Sequence, residues 1–262
     1  SISAADEIRG GTGSSDAIHI TADNDTSTGA VFGASITGIE TVTIVAATTN
    51  DAMLTTVNAT VTDTTGSLTV DASALTSSLA AFTFISAENS TATINVTSGA
   101  GADTLTAGTE KSNYSAGSGN DTVIFTTAGL TSDDTVAGGA GTDILQITAA
   151  STLIDSDFTN ITGVETINNA TANAAQTITL GSLADASGLA TITGNGSGID
   201  TITVGAGFDN ALTIALGELG TGGADNIIGS ASAAALTVTT TIASSISAAD
   251  EIRGGTGSSD AI

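Results

Sequence analysis

The eighteen residues SISAADEIRGGTGSSDAI open the chain at Ser1–Ile18 and return unchanged at Ser245–Ile262. Identity over that length sets the second copy one period of 244 residues after the first. A chain built on a period buries its apolar residues between successive units rather than around one centre. The expectation is a slice of a tandem array, one full period plus the opening of the next. A fainter period lies inside it. LTSDDTVAGGAGTDIL at 130–145 parallels ISAADEIRGGTGSSDAI at 246–262 apart from one inserted residue. ITGIETVTI from Ile36 recurs as ITGVETINN from Ile161, and GADTLTAG from Gly101 recurs as GADNIIGS from Gly223. These offsets of 116, 125 and 122 residues divide the unit into a first half, 1–122, and a diverged second half, 123–244, with 245–262 starting the next repeat.

Within each half, strand signals are short and frequent. TVTIV, SLTV, FTFI, TINV and DTVIF occupy the first, and QTITL, ATITG, DTITV and ALTIAL the second. Their apolar centres Ile167, Ile178, Ile192, Ile202 and Ile214 fall 10 to 14 residues apart, with Gly, Asn, Asp and Ser between them. Thr, Val and Ile alternate with period two, the pattern of a strand with one buried face. With 6 Phe, 1 Tyr and no Trp, the core has to be thin and aliphatic. Both features predict an all-β chain folded as a parallel β-solenoid, of the β-helix or β-roll kind, in which each turn adds one or two short strands. Tandem immunoglobulin-like sandwiches are the alternative that the half-unit length also admits. SALTSSLAAF from Ser73 is the one stretch with some helical character, and no helix is assigned to it.

Charge narrows the partners. The chain carries 27 acidic residues against Arg9, Lys111 and Arg253, a formal net charge of -24. Nucleic acid is excluded as a partner, because phosphate binding needs clustered Lys and Arg. Carboxylates this dense repel one another in a compact state unless cations neutralise them. No segment has the length and apolarity of a membrane span, so no membrane insertion is expected here. There is no Cys to form disulfides.

Spacing connects the acidic residues to a metal. From Ser98 the chain reads SGAGADTLT, AGTEKSNYS and AGSGNDTVI, three successive nonapeptides, of which the first and third share the form x-G-x-G-x-D-x-U-x with U apolar. Gly99, Gly101 and Asp103 thus recur as Gly117, Gly119 and Asp121, 18 residues on. Gly139, Gly141 and Asp143 repeat the form, with Asp134 nine residues before Asp143. NGSGIDTIT and VGAGFDNAL abut, supplying Gly196, Gly198 and Asp200, then Gly205, Gly207 and Asp209. Closely spaced glycines admit backbone conformations that a Cβ forbids, and the Asp adds a carboxylate. Hard oxygen donors of this kind suit Ca²⁺, which takes six to eight of them. Calcium sites are expected near 99–121, 134–143 and 196–209, with others at Asp225 and at Asp16 or Asp260.

These residues resemble the RTX, or repeats-in-toxin, family of calcium-binding nonapeptides G-G-x-G-x-D-x-U-x, of which Gly138–Gln146 is a full match. About a quarter of the chain carries the resemblance, and the Ala/Thr-rich remainder looks like the RTX-bearing surface-layer proteins and giant adhesins of bacteria. The resemblance implies calcium-triggered folding outside the cell after type I secretion. Two segments depart from the pattern. AGTEKSNYS lacks the second Gly and the Asp, and GGTGSSD from Gly10 has one residue more before Asp16, so separate sites are expected instead of one long ladder.

Enzymatic readings find little support. His19 is the only histidine, which leaves zinc sites and His-dependent triads without residues. A glycosidase groove needs aromatic platforms, and Tyr114 stands alone among Tyr and Trp. Glu40 and Glu165, repeated in the ITG(I/V)ET segments, read as hydrogen-bonding corners. Thr-x-Thr triplets at 41–43, 91–93, 177–179, 191–193, 201–203 and 237–239 suit outward strand positions, or a face that binds ice or glycan. The sequence therefore points to a non-enzymatic, calcium-stabilised structural repeat of a long secreted bacterial surface protein, a filament, stalk or surface layer, partnered by neighbouring repeats and other copies of itself. An adhesin module displaying a ligand-binding face on the same solenoid is the alternative.

Overall fold

The period-two alternation does become strands, and their pairing is what the sequence alone left open. The computed structural model describes residues 7–10, 16–21, 29–33, 35–45, 50–57, 66–87, 92–125, 129–170, 175–194, 200–216, 225–229, 232–240, 250–257 and 260–261. Contacts divide the chain into two compact units, Ser1–Phe125 with Asp133–Asp143, and Thr126–Ser132 with Ile144–Ile262.

In the first unit one sheet stacks Ala30–Val31, Ala52–Val57, Phe82–Ala87, Thr104–Ala107 and Thr122–Phe125. The other stacks Ala17–Thr21, Thr41–Val45, Ser67–Asp71, Thr93–Thr97, Lys111–Ser115 and Thr135–Ala137. Every pairing within these sets is parallel. From Ala30 onward the chain alternates between the two sheets and returns one strand further along each time, which is a parallel β-solenoid. The second unit repeats the plan. One of its sheets stacks Ile144–Ile147, Thr166–Asn169, Thr191–Gly194, Leu212–Leu216 and Leu236–Thr240, and the other Ser151–Leu153, Gln176–Leu180, Thr201–Val204, Asn226–Ile228 and Glu251–Arg253. Parallel pairing rules out the antiparallel sandwich.

The core of each unit is a set of aligned side-chain columns between its two sheets. In the second unit Leu145, Ile167, Ile192, Ile214 and Val238 are register partners. Leu153, Ile178, Ile202, Ile227 and Ile252 form the column of the other sheet. In the first unit Val42, Val70, Val96, Tyr114 and Val136 align in one sheet, and Leu54, Phe84, Leu105 and Val123 in the other. The Phe84 ring meets Tyr114 edge-on at 6.0 Å and stacks with Phe82 at 6.4 Å. Each such side chain, once fully buried, contributes roughly 1.5–3 kcal/mol.

Two local features differ from the sequence reading. The turn is 18 residues long from Asp103 to Asp121, as two nonapeptides require, but 22 from Asp121 to Asp143 and 25 from Asp200 to Asp225. The extra residues fall between strands, so the register is kept. Residues 73–80 form turns, and the one α-helix among the described residues is Ser182–Ala186. Asp155 of the preceding turn accepts the N–H groups of Gly181 and Ala184 at 2.8 and 3.0 Å, satisfying donors at the start of that helix that have no partner within it.

Candidate functional site: columns of corner carboxylates

Where a strand begins, the chain has just turned a corner, and the N–H of the corner residue has no place in the sheet ladder. Buried, it needs another acceptor. The aspartates supply it. Asp16, Asp51, Asp103, Asp121, Asp134, Asp143, Asp200, Asp225 and Asp250 each stand immediately before the first residue of a strand.

Asp103, Asp121 and Asp143 form one column. Asp143 Oδ1 accepts the N–H of Asp121, Asp121 Oδ1 that of Asp103, and Asp103 Oδ1 that of Phe82, at 2.8, 2.8 and 2.7 Å. Asp103 Oδ2 accepts from Gly99 as well, at 3.0 Å. Asp200 and Asp225 begin a second column that Asp250 continues. Here the acceptors serve Gln176, Asp200 and Asp225 in turn, at 2.9, 2.7 and 3.0 Å. In each case the carboxylate of one turn takes the N–H of its register partner in the turn before. Asp134 does the same for Ser112 and Asp260 for Leu236, at 2.7 and 3.1 Å. Glu40 takes the N–H of Asp16 at 2.7 Å, the corner role read for it from sequence.

The glycines explain how the turns pack so closely. A Cβ on Gly117 or Gly119 would lie 2.2 or 2.1 Å from the carbonyl oxygen of Gly99 or Gly101. On Gly139 or Gly141 it would lie 2.0 or 1.6 Å from that of Gly117 or Gly119. All four have positive φ. The Gly99 and Gly117 oxygens accept N–H groups of Ser118 and Ala140 at 3.1 and 3.0 Å, so these two carbonyls serve the stacking of turns.

The predicted groups are thus partly brought together. Residues 99–121 and 139–143 share one stack, whereas Asp134 lies in the other sheet. Asp209 is exposed and apart from Asp200, its N–H bound to Asp185 Oδ1 at 2.9 Å. Gly205 donates to the Leu180 carbonyl at 2.8 Å, and Gly207 turns with φ +84° over Ser182. Gly196 and Gly198 lie outside the described residues. Asp51, Asp155, Asp185 and Asp250 were not singled out from sequence, because none follows a G-x-G-x; for Asp51 and Asp250 the usable signal was an Asp directly before a strand, whereas Asp155 opens a 3-10 turn and Asp185 lies within the helix Ser182–Ala186.

Burial gives these columns their electrostatics. Asp103, Asp121, Asp143, Asp200 and Asp225 are all buried. Arg9 and Arg253 are engaged with Glu7 and Glu251, and Lys111 is exposed. Burial, with the charges of Asp103 and Asp143 added, pushes Asp121 up to about 7 against the N–H bond from Asp103. Burial likewise raises Asp200 to about 6, and raises Asp103 and Asp225. Asp121 Oδ2 and Asp225 Oδ2 are buried with no hydrogen-bond partner. One oxygen of each is therefore free to meet a proton or a cation.

A comparison with family models, curated proteins and solved structures yields no match for this chain. Among the described residues no three acidic or His side chains converge as a metal cluster, and no helix is long and apolar enough to cross a membrane.

Proposed function

We propose that this chain is a structural repeat of a long secreted bacterial surface protein, a filament, stalk or surface layer, stiffened by calcium. The observation that carries the reading is the column of corner carboxylates, seen in both units, in which the acidic side chains are spent on holding each turn to the next. A chain whose acidic residues serve stacking gains length and stiffness with each added copy. Calcium enters through the like charges. A buried carboxylate column without a Lys or Arg needs protons or cations, and the unpartnered oxygens of Asp121 and Asp225 fit a hard cation. Asp121 in the first unit and Asp225 in the second would each offer it that one oxygen. Bound there, the ion would neutralise the column.

The test is calcium titration of chelator-stripped protein at pH 8, followed by circular dichroism and calorimetry. We expect a higher melting temperature with calcium, and a smaller rise in Asp121→Asn. Unchanged melting across the titration would remove the metal from the proposal. A second reading, a face that binds ice or glycan, is favoured by one observation. Thr177 and Thr179 stand in register with Thr201 and Thr203.

A further inference from the structure

The repeated segment is seen twice, and its two copies have neighbours on opposite sides. Locally the copies agree. Glu7 pairs with Arg9, as Glu251 does with Arg253. A Cβ on Gly10 would meet Asp16, as one on Gly254 would meet Asp260. Their partners differ. In the first copy Ile8 and Arg9 are register partners of Ile36 and Thr37 in the turn that follows. In the second, Ile252 and Arg253 are partners of Ile227 and Ile228 in the turn that precedes.

The backbone groups used are complementary. A strand within a parallel sheet gives alternate residues to its two neighbours. Toward the following turn, Ile8 and Gly10 donate to the carbonyls of Ser35 and Thr37 at 3.2 and 3.0 Å. Toward the preceding turn, Glu251 donates to the Asp225 carbonyl and Arg253 accepts from Gly229, both at 2.8 Å. Glu251 and Arg253 match Glu7 and Arg9, so the two sets interleave without sharing a group. The next strand behaves alike. Ala261, the equivalent of Ala17, donates to Leu236 and accepts from Val238, both at 2.9 Å, whereas the Asp16 carbonyl accepts from Glu40 and Thr41, both at 3.1 Å. The corner carboxylates continue the pattern. Asp260 Oδ1 takes the Leu236 N–H, and the Asp16 N–H goes to Glu40.

We infer that the 18-residue segment carries strand positions of a solenoid turn able to hold both neighbours at once, so that a second copy of this sequence continues the solenoid of the first in unbroken register. The partner for which this surface is built is the same chain. Ile252 of one period then lies between Ile227 before it and Ile36 of the next. An open parallel edge otherwise invites unspecific pairing, and the repeated segment directs that pairing to the next period. The inference rests on the tandem-repeat reading above and adds the register of the junction.

The test uses a two-period chain, residues 1–262 followed directly by 19–262. Arg253→Cys in the first period is combined with Thr37→Cys in the second, in a protein with no other Cys. Strands about 4.8 Å apart bring paired Cα atoms within the roughly 4.4–6.8 Å that a disulfide spans. The control is the single-period chain with Arg9→Cys and Thr37→Cys, partners that the structure already pairs. The junction pair should oxidise as fully as the control. The amides of Ile252 and Gly254 should also exchange at least about tenfold more slowly than in the single-period chain. A control that closes while the junction pair stays reduced overturns the inference and leaves the repeat reading standing. A control that fails to close overturns the register on which both depend.

Discussion

At the scale of single residues, what distinguishes this chain is where its carboxylates point. Asp121 accepts the backbone N–H of Asp103, and at 1% exposure neither group has solvent to fall back on. Asp121→Ala therefore leaves a buried donor unsatisfied, at a cost of about 1–3 kcal/mol. Asp121→Asn keeps an acceptor oxygen and removes the charge, so it should restore most of the loss in metal-free protein. Chemical denaturation of the two variants checks the order. An Asn variant as unstable as the Ala variant would mean that the charge, and not the acceptor, holds the turns together.

At the scale of strands, the outward faces carry aligned threonines. Thr166, Thr191, Thr213 and Thr237 are register partners in one sheet of the second unit, and Thr177 and Thr201 in the other. Uneven spacing along the sequence hides this, because loops of different length absorb the differences between turns. On the structural reading these threonines only face outward, and Thr177→Leu with Thr201→Leu should alter stability by no more than about 0.5 kcal/mol. Ice-crystal shaping by the parent protein that disappears in this double variant would instead establish the ligand-binding face.

At the scale of the whole chain, the buried columns make stability depend on pH in an unusual direction. An ordinary Asp titrates near 3.9 when unfolded, while Asp121 is pushed up to about 7 and Asp200 to about 6. Between those values the folded state binds more protons than the unfolded one, so stability falls as pH rises. The contribution is lost progressively from about pH 4 to pH 7. Metal-free protein should melt higher at pH 5 than at pH 8, and Asp121→Asn should flatten that dependence. General repulsion among the 27 acidic residues acts in the same direction, but it survives in the Asn variant. Equal slopes in the two proteins would place the effect on the surface.

Repetition, period-two alternation and a thin aliphatic composition were enough to read the all-β solenoid, because a column such as Leu145, Ile167, Ile192, Ile214 and Val238 needs only one apolar residue at the right place in each turn. The nonapeptides likewise located the stack of Gly99, Gly117 and Gly139, since only glycine leaves room for the carbonyl beneath it. The corner role of Asp51, Asp134, Asp225 and Asp250 was not legible in the same way. An acceptor is chosen by which backbone N–H lies across from it, and that partner is 22 to 30 residues away. Register between turns, which only the tertiary structure sets, decides whether an acidic residue faces water, a neighbour's N–H or a buried oxygen of like charge.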